Sequence, residues 1–203
     1  MNQNSNLANL IILNIYLMPQ SKNNVYKPTI NDYYYDAMDY LCEGNKSATK
    51  KALKMLETAL EMDKDYVQTY IGLICTYEAL GEIEKREEAI KTAFKKTLKK
   101  FPKWPKEMLW GHLKNRKYLR AIQYMADLHW DNKENDKAIK LFRLLLKLNP
   151  GDNQGVRYEI AGLYAGLCGA DINNMFDYGN NNQDWSALKK LVIEQNRKHK
   201  FWV

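Results

Sequence analysis

From Asp32 onward, apolar residues recur at spacings of three and four, the helical period, with almost no two-residue alternation. A helix patterned this way carries one apolar face that must be buried against another helix. Start and stop signals are frequent. Asn45 or Ser47 can cap a helix reaching to about Met62, and Asp65 can cap the next. Gly81 and the stretch Asn132-Lys133-Glu134-Asn135 break the pattern, and Asn149-Pro150-Gly151 ends a long helix. The spacing predicts an all-α chain of seven or eight helices, each roughly 11–17 residues long and joined by short turns. Only 10 Gly and 5 Pro occur in 203 residues, too few for many short strands joined by turns.

The helices repeat as a unit. When Ala52 is aligned with Ala138, Leu56 falls on Phe142, Ala59 on Leu145 and Lys64 on Pro150. A middle unit has Tyr70, Leu73-Ile74, Tyr77 and Gly81, and another has Ile122, Met125-Ala126 and His129. Small residues let neighbouring helices approach, while large ones fill the space between hairpins. These spacings resemble the tetratricopeptide repeat, a helix–turn–helix unit of about 34 residues. The division predicts repeats at about 33–66, 67–102 and 119–152, a degenerate fourth at 153–200, and a linker at 103–118. Residues 32–203 then form one repeat domain, a right-handed superhelix of antiparallel hairpins. Asp39 and Glu43 depart from the pattern where apolar groups are expected, and repeat two carries a small insertion before Ala89.

Two longer blocks extend the likeness. One is Leu109-Trp110-Gly111-His112-Leu113-Lys114-Asn115-Arg116-Lys117-Tyr118-Leu119-Arg120-Ala121, and the other runs from Leu148-Asn149-Pro150 to Arg157-Tyr158. At this separation they are similar to a group of prokaryotic tetratricopeptide-repeat proteins and to the repeat region of the suppression-of-tumorigenicity-seven family. Lys117 stands where Pro is expected and Gly151 where Asn is usual. The resemblance implies a repeat scaffold and no agreed reaction. The Lys/Asn clamp by which some such repeats hold chaperone tails is not recognisable, because Ala37, Leu41, Ile71 and Cys75 occupy the equivalent face.

Residues Leu7 to Met18 are nearly all apolar and end at Pro19. No Lys or Arg precedes them and no small-x-small site follows, so residues 1–31 read as packing on the first helices rather than as a secretory leader. A dozen residues also cannot cross about 30 Å of hydrocarbon, and no membrane partner is expected. Three scattered cysteines, Cys42, Cys75 and Cys168, imply no disulfide framework and point to the cytoplasm.

No catalytic chemistry is legible. His112, His129 and His199 lack a ligand partner at metal-binding spacing, and no CxxC, HxxxH or acidic calcium loop occurs. Phosphate-cradling glycine loops are absent, and Gly162, Gly166 and Gly169 have the spacing of close helix packing. Carboxylate pairs such as Asp36/Asp39 and Glu87/Glu88 read as solvated helix faces. Neither metal, cofactor nor enzymatic activity is therefore expected.

Charge is more informative. The chain carries a net +7, and residues 85–120 alone hold 13 basic and 3 acidic side chains. Lys95, Lys96, Lys99, Lys100, Lys103 and Lys106 run without an acid, interleaved with Phe94, Phe101, Trp104 and Trp110. Such a patch either binds RNA or an acidic peptide, or forms the wet face and dipole-matched end of a helix. The few arginines give little bidentate phosphate geometry, which favours an acidic protein partner over RNA. Arg120, Gln123, Asp127 and Trp130 fall on one helical stripe. With Arg116, Arg157 and Tyr158 they are the expected partner-binding groove. Asn149–Tyr158 reads equally as a connector in which Asp152 or Asn153 caps a helix. Asn-rich residues 173–184 read as a loop before a last helix, and the apolar ends either fold back as caps or pair two copies. The expected function is non-catalytic protein or peptide binding, with RNA binding by residues 85–120 as the alternative.

Overall fold

The computed structural model describes residues 26–202. Among them are nine helices and no strand: α1 (Ile30–Cys42), α2 (Lys46–Met62), α3 (Val67–Leu80), α4 (Ile83–Lys100), α5 (Leu113–Asp131), α6 (Asn135–Leu148), α7 (Val156–Tyr164), α8 (Gly169–Asn182) and α9 (Ser186–His199). The apolar segment Leu7–Met18 lies outside the described residues.

Local chemistry sets the boundaries. Thr29 and Asp32 form a reciprocal capping box at α1. Asn45 Oδ1 accepts the Ala48 amide at 2.9 Å and starts α2. Asp65 does not cap α3, whose first residue follows Tyr66 without a side-chain cap. It turns instead to Lys96 and Lys99 of α4, at 2.7 and 3.2 Å. Gly81 closes α3 in the left-handed region at φ 74°, which favours glycine.

Three antiparallel hairpins, α1/α2, α3/α4 and α5/α6, stack in chain order, and α1, α3 and α5 pack side by side on one face. This is an all-α, tetratricopeptide-like stack. Two apolar clusters hold it together. The first joins α1 to α4 and receives Ala121 and Leu128 from α5. The second joins α6 to α9 and receives Leu119, Ile122, Ala126 and Trp130 from α5. One helix thus supplies opposite faces to both clusters.

The end of the chain departs from the sequence reading. Residues 113–118 are the first turns of α5 rather than linker. The expected loop at 173–184 is mostly α8, started by a capping box between Cys168 and Asp171 and anchored by buried Ile172. Burial of Ile172 overrides the poor helix propensity of five asparagines in that helix. The packing role read for Gly162 is explicit: a Cβ there would lie 2.6 Å from Ile172 Cγ1 and 3.3 Å from the Trp130 ring. After α9 the chain folds back. Asn196 Oδ1 accepts the amides of Phe201 and Trp202, both at 2.9 Å, and Phe201 is buried.

Between α4 and α5, residues 101–112 cross the second cluster without regular secondary structure and turn at 110–112. Met108 is buried and its amide donates to the Leu148 carbonyl at 2.6 Å. Phe101 stacks with Trp104 and meets Tyr118 edge-on, with centroids 6.1 and 5.0 Å apart.

Candidate functional site

The face made by α1, α3 and α5 carries two adjoining clefts that share Arg120. The first, about 160 Å³, lies between Tyr34 and Tyr35 of α1, Gln68 of α3, and Arg116, Lys117 and Arg120 of α5. Helical spacing places the three cations there, since residues 116, 117 and 120 share one side of α5. Trp110 organises two of them. The Arg116 Nε donates to the Trp110 carbonyl at 3.0 Å, and the Arg116 and Arg120 guanidinium groups lie 5.2 and 5.4 Å from its ring centroid. Lys117 Nζ sits 4.2 Å from the Tyr66 ring centroid. Burial lowers the pKa of that ammonium, with Lys100 and Lys114 adding to the effect and Asp63 opposing it. Among the described residues, none of the three cations forms a salt bridge.

The second cleft, about 350 Å³, is walled by Trp110, Arg120, Gln123, Tyr124, Asp127 and Gln154. Gln154 Nε2 donates to Gln123 Oε1, while Gln154 Oε1 is buried without a partner. Tyr124 sits 3.5 Å from the Cys75 sulfur, and burial raises its hydroxyl pKa. Asp127 is half-buried in the wall of this cleft. Burial raises its carboxyl well above the usual carboxylate range, and Glu159, Asp131 and Glu78 push the same way against Arg86. Glu159 of α7 is itself pushed up to about 7, by burial and then by Asp152.

Arg120, Gln123 and Asp127 line the second cleft, in keeping with the spacing of the sequence stripe, and Arg116 joins Arg120 in the first; three other groove candidates do not reach either cleft. Trp130 is 7% exposed and meets Phe142 edge-on in the core, because it sits where α5 turns toward α6. Arg157 donates to Asp152 at 2.8 Å and to the Tyr158 hydroxyl at 2.8 Å, and lies over the rings of Tyr158 and Trp202. Tyr158 packs edge-on against Phe176 of α8. These two belong to the connector reading of their block. Asp152, 5% exposed, accepts the Val156 and Arg157 amides at 2.7 and 3.1 Å and so caps α7. Gly155 makes the turn at φ 76°.

Sequence reasoning missed Tyr34, Tyr35, Lys117 and Gln154 as members of this face. Lys117 and Gln154 stand inside the two quoted blocks, but only the fold brings those blocks together. In the basic patch, Lys96 and Lys99 are held by Asp65, while Lys95, Lys100, Lys103 and Lys106 are exposed. Phe94, Phe101, Trp104 and Trp110 are packed against the second cluster rather than presented as a stacking platform. His129 Nδ1 pairs with Glu134 Oε2. Among the described residues, no group of three His, Cys, Asp or Glu side chains is arranged to hold a metal ion, and no helix is long and apolar enough to cross a membrane.

A family model described as tetratricopeptide repeat matches residues 119–152, covering α5 from its second turn through the end of α6. No curated protein and no solved structure matches the chain. Fold and match together define a tetratricopeptide-like helical protein, a class whose repeats are generally surfaces for protein interaction.

Proposed function

We propose that this protein is a non-catalytic scaffold or adaptor that binds an extended protein segment along the α1–α3–α5 face. The first cleft receives an acidic group of that segment. One observation carries the reading: Arg116, Lys117 and Arg120 line a single cleft with no carboxylate partner among the described residues, so a ligand anion gains three charge-assisted donors there. Arg157 belongs to the frame that supports this face and not to the contact itself. The protein works in the cytoplasm, consistent with three free cysteines, two of them exposed. The likeness to the suppression-of-tumorigenicity-seven repeat region supports a scaffold role and brings no reaction with it.

A pull-down at near-physiological salt, with and without nuclease, tests this reading. It compares the wild type with an Arg116→Ala/Lys117→Ala/Arg120→Ala variant of verified helicity, and maps cross-links on the retained proteins. Proteins that survive nuclease, cross-link to α1, α3 or α5 and vanish with the variant are expected. Recovery dominated by nuclease-sensitive RNA would overturn the reading and favour residues 95–106 as an RNA surface.

A further inference from the structure

The second cleft has the opposite electrostatic need from the first. Asp127 projects from α5 into it and makes no hydrogen bond or ion pair among the described residues. The groups facing Asp127 offer little compensation. Arg120 lines the far end of the cleft; Glu78 on α3, Asp131 on α5 and Glu159 on α7 are all acidic, and beside them stands Arg86 of α4. That arginine is drawn toward Glu78, with Nε 3.7 Å from its Oε2, and this Nε has no hydrogen-bond partner. Arg120 stands two turns away along α5, against Trp110. Gln154 adds a second, independent sign, since its Oε1 is a buried acceptor with no donor among the described residues.

Two unmet acceptors beside one wall of Trp110 ask for a donor that carries charge on an apolar stem. A water satisfies Gln154 without neutralising Asp127, and a small metal ion finds no converging ligand set. An ammonium or guanidinium answers both, with its methylenes against the indole. We infer that this cleft takes the cationic side chain, Lys or Arg, of the same partner segment whose acidic group enters the first cleft. The inference rests on the proposed binding face, and it makes that face bipolar: positive at Arg116–Arg120, and negative at Asp127 once a bound cation holds its carboxyl ionised against the burial that favours the neutral acid. Neither a uniformly acidic nor a uniformly basic segment satisfies both ends.

Amide-resolved NMR titration of the full chain tests it with three small probes at constant ionic strength. These are N-acetyl-lysine methylamide, its uncharged norleucine counterpart, and N-acetyl-glutamate methylamide. The lysine probe should shift the Trp110 indole N–H and the Gln123 and Gln154 side-chain amides, with the norleucine probe at least about tenfold weaker. Asp127→Asn, which keeps the shape of the side chain, should abolish the difference between the two. Equal shifts from both probes, an undiminished lysine response in Asp127→Asn, or no response in the second cleft would each overturn the inference. The glutamate probe reports separately through Tyr35 and Gln68. Its silence beside a clear lysine response would sink the acidic-group reading of the first cleft and leave the cation site standing.

Discussion

The Trp110 amide donates to Asn149 Oδ1 at 3.1 Å, joining residues 39 positions apart. Asn149 is 4% exposed, so its carbonyl oxygen has no water to fall back on. Two positions away, the Met108 amide closes a second bond on Leu148. The chain between the second and third hairpins is thereby pinned to the end of α6, which fixes the ring on which Arg116 and Arg120 lie. Asn149→Ala should cost about 1–3 kcal/mol of stability, by calorimetry or denaturant melts, because it takes the acceptor from the half-buried Trp110 amide. It should also broaden the Trp110 indole signal.

Gly162 tests the packing of α8. A methyl group there meets the fully buried Ile172 at under 3 Å. Gly162→Ala should destabilise by about 1–3 kcal/mol, and adding Ile172→Ala, which removes both Cγ1 and Cδ1, should recover part of the loss, so that the double variant costs less than the two single variants summed. Recovery absent from the double variant in thermal melts would mean that α8 does not sit against α7 as described.

Glu159 predicts a pH dependence. Its folded pKa, about 7, lies above its ordinary 4.5, so the folded chain binds more protons than the unfolded chain between those values. Stability from this group is present at and below pH 4.5 and falls as pH rises toward 7, by about 3 kcal/mol at most. Glu159→Gln should remove that slope and leave the variant more stable than wild type at pH 8. Denaturant midpoints across pH 4–8 measure it, and parallel curves for the two proteins would contradict it.

Arg157 separates framework from contact. Its guanidinium answers a carboxylate whose side chain is 1% exposed. Asp152 keeps two backbone donors when Arg157 is removed. Arg157→Ala should therefore cost about 1–3 kcal/mol of stability. Partner affinity per folded molecule should be unchanged, as isothermal titration below the melting range would show.

A bipolar face also fixes a spacing. From the first cleft to Asp127 is roughly nine residues of α5, or about 13 Å along the helix axis. An extended segment advances about 3.3 Å per residue, so its acidic and basic side chains should stand about four residues apart. Fluorescence anisotropy with labelled peptides should rank Glu-x-x-x-Lys above Glu-Lys at equal composition and net charge.

The hairpins and the Arg120, Gln123 and Asp127 part of the stripe were legible because both follow from helical periodicity alone. Asn45 as a cap, Gly81 as a stop and Asp152 as the next cap were legible for the same local reason. What escaped depends on residues distant in sequence. Asp65 offers a capping side chain, but two lysines of α4 compete for it across more than thirty positions. Trp130 continues the groove stripe by spacing, yet the rotation of α5 against Phe142 takes it into the core. Residues 173–182 lack local preference for a helix, and only the partner surface for Ile172 makes one.

Because α5 gives Ala121 and Leu128 to one cluster and Leu119, Ile122 and Ala126 to the other, the array has no clean seam. Cutting the chain before or after α5 would leave one fragment with an apolar wall facing water. The hairpins are thus not interchangeable bricks: this protein cannot be shortened or extended at its middle. A protease nick in α5 would disable both halves in a single event.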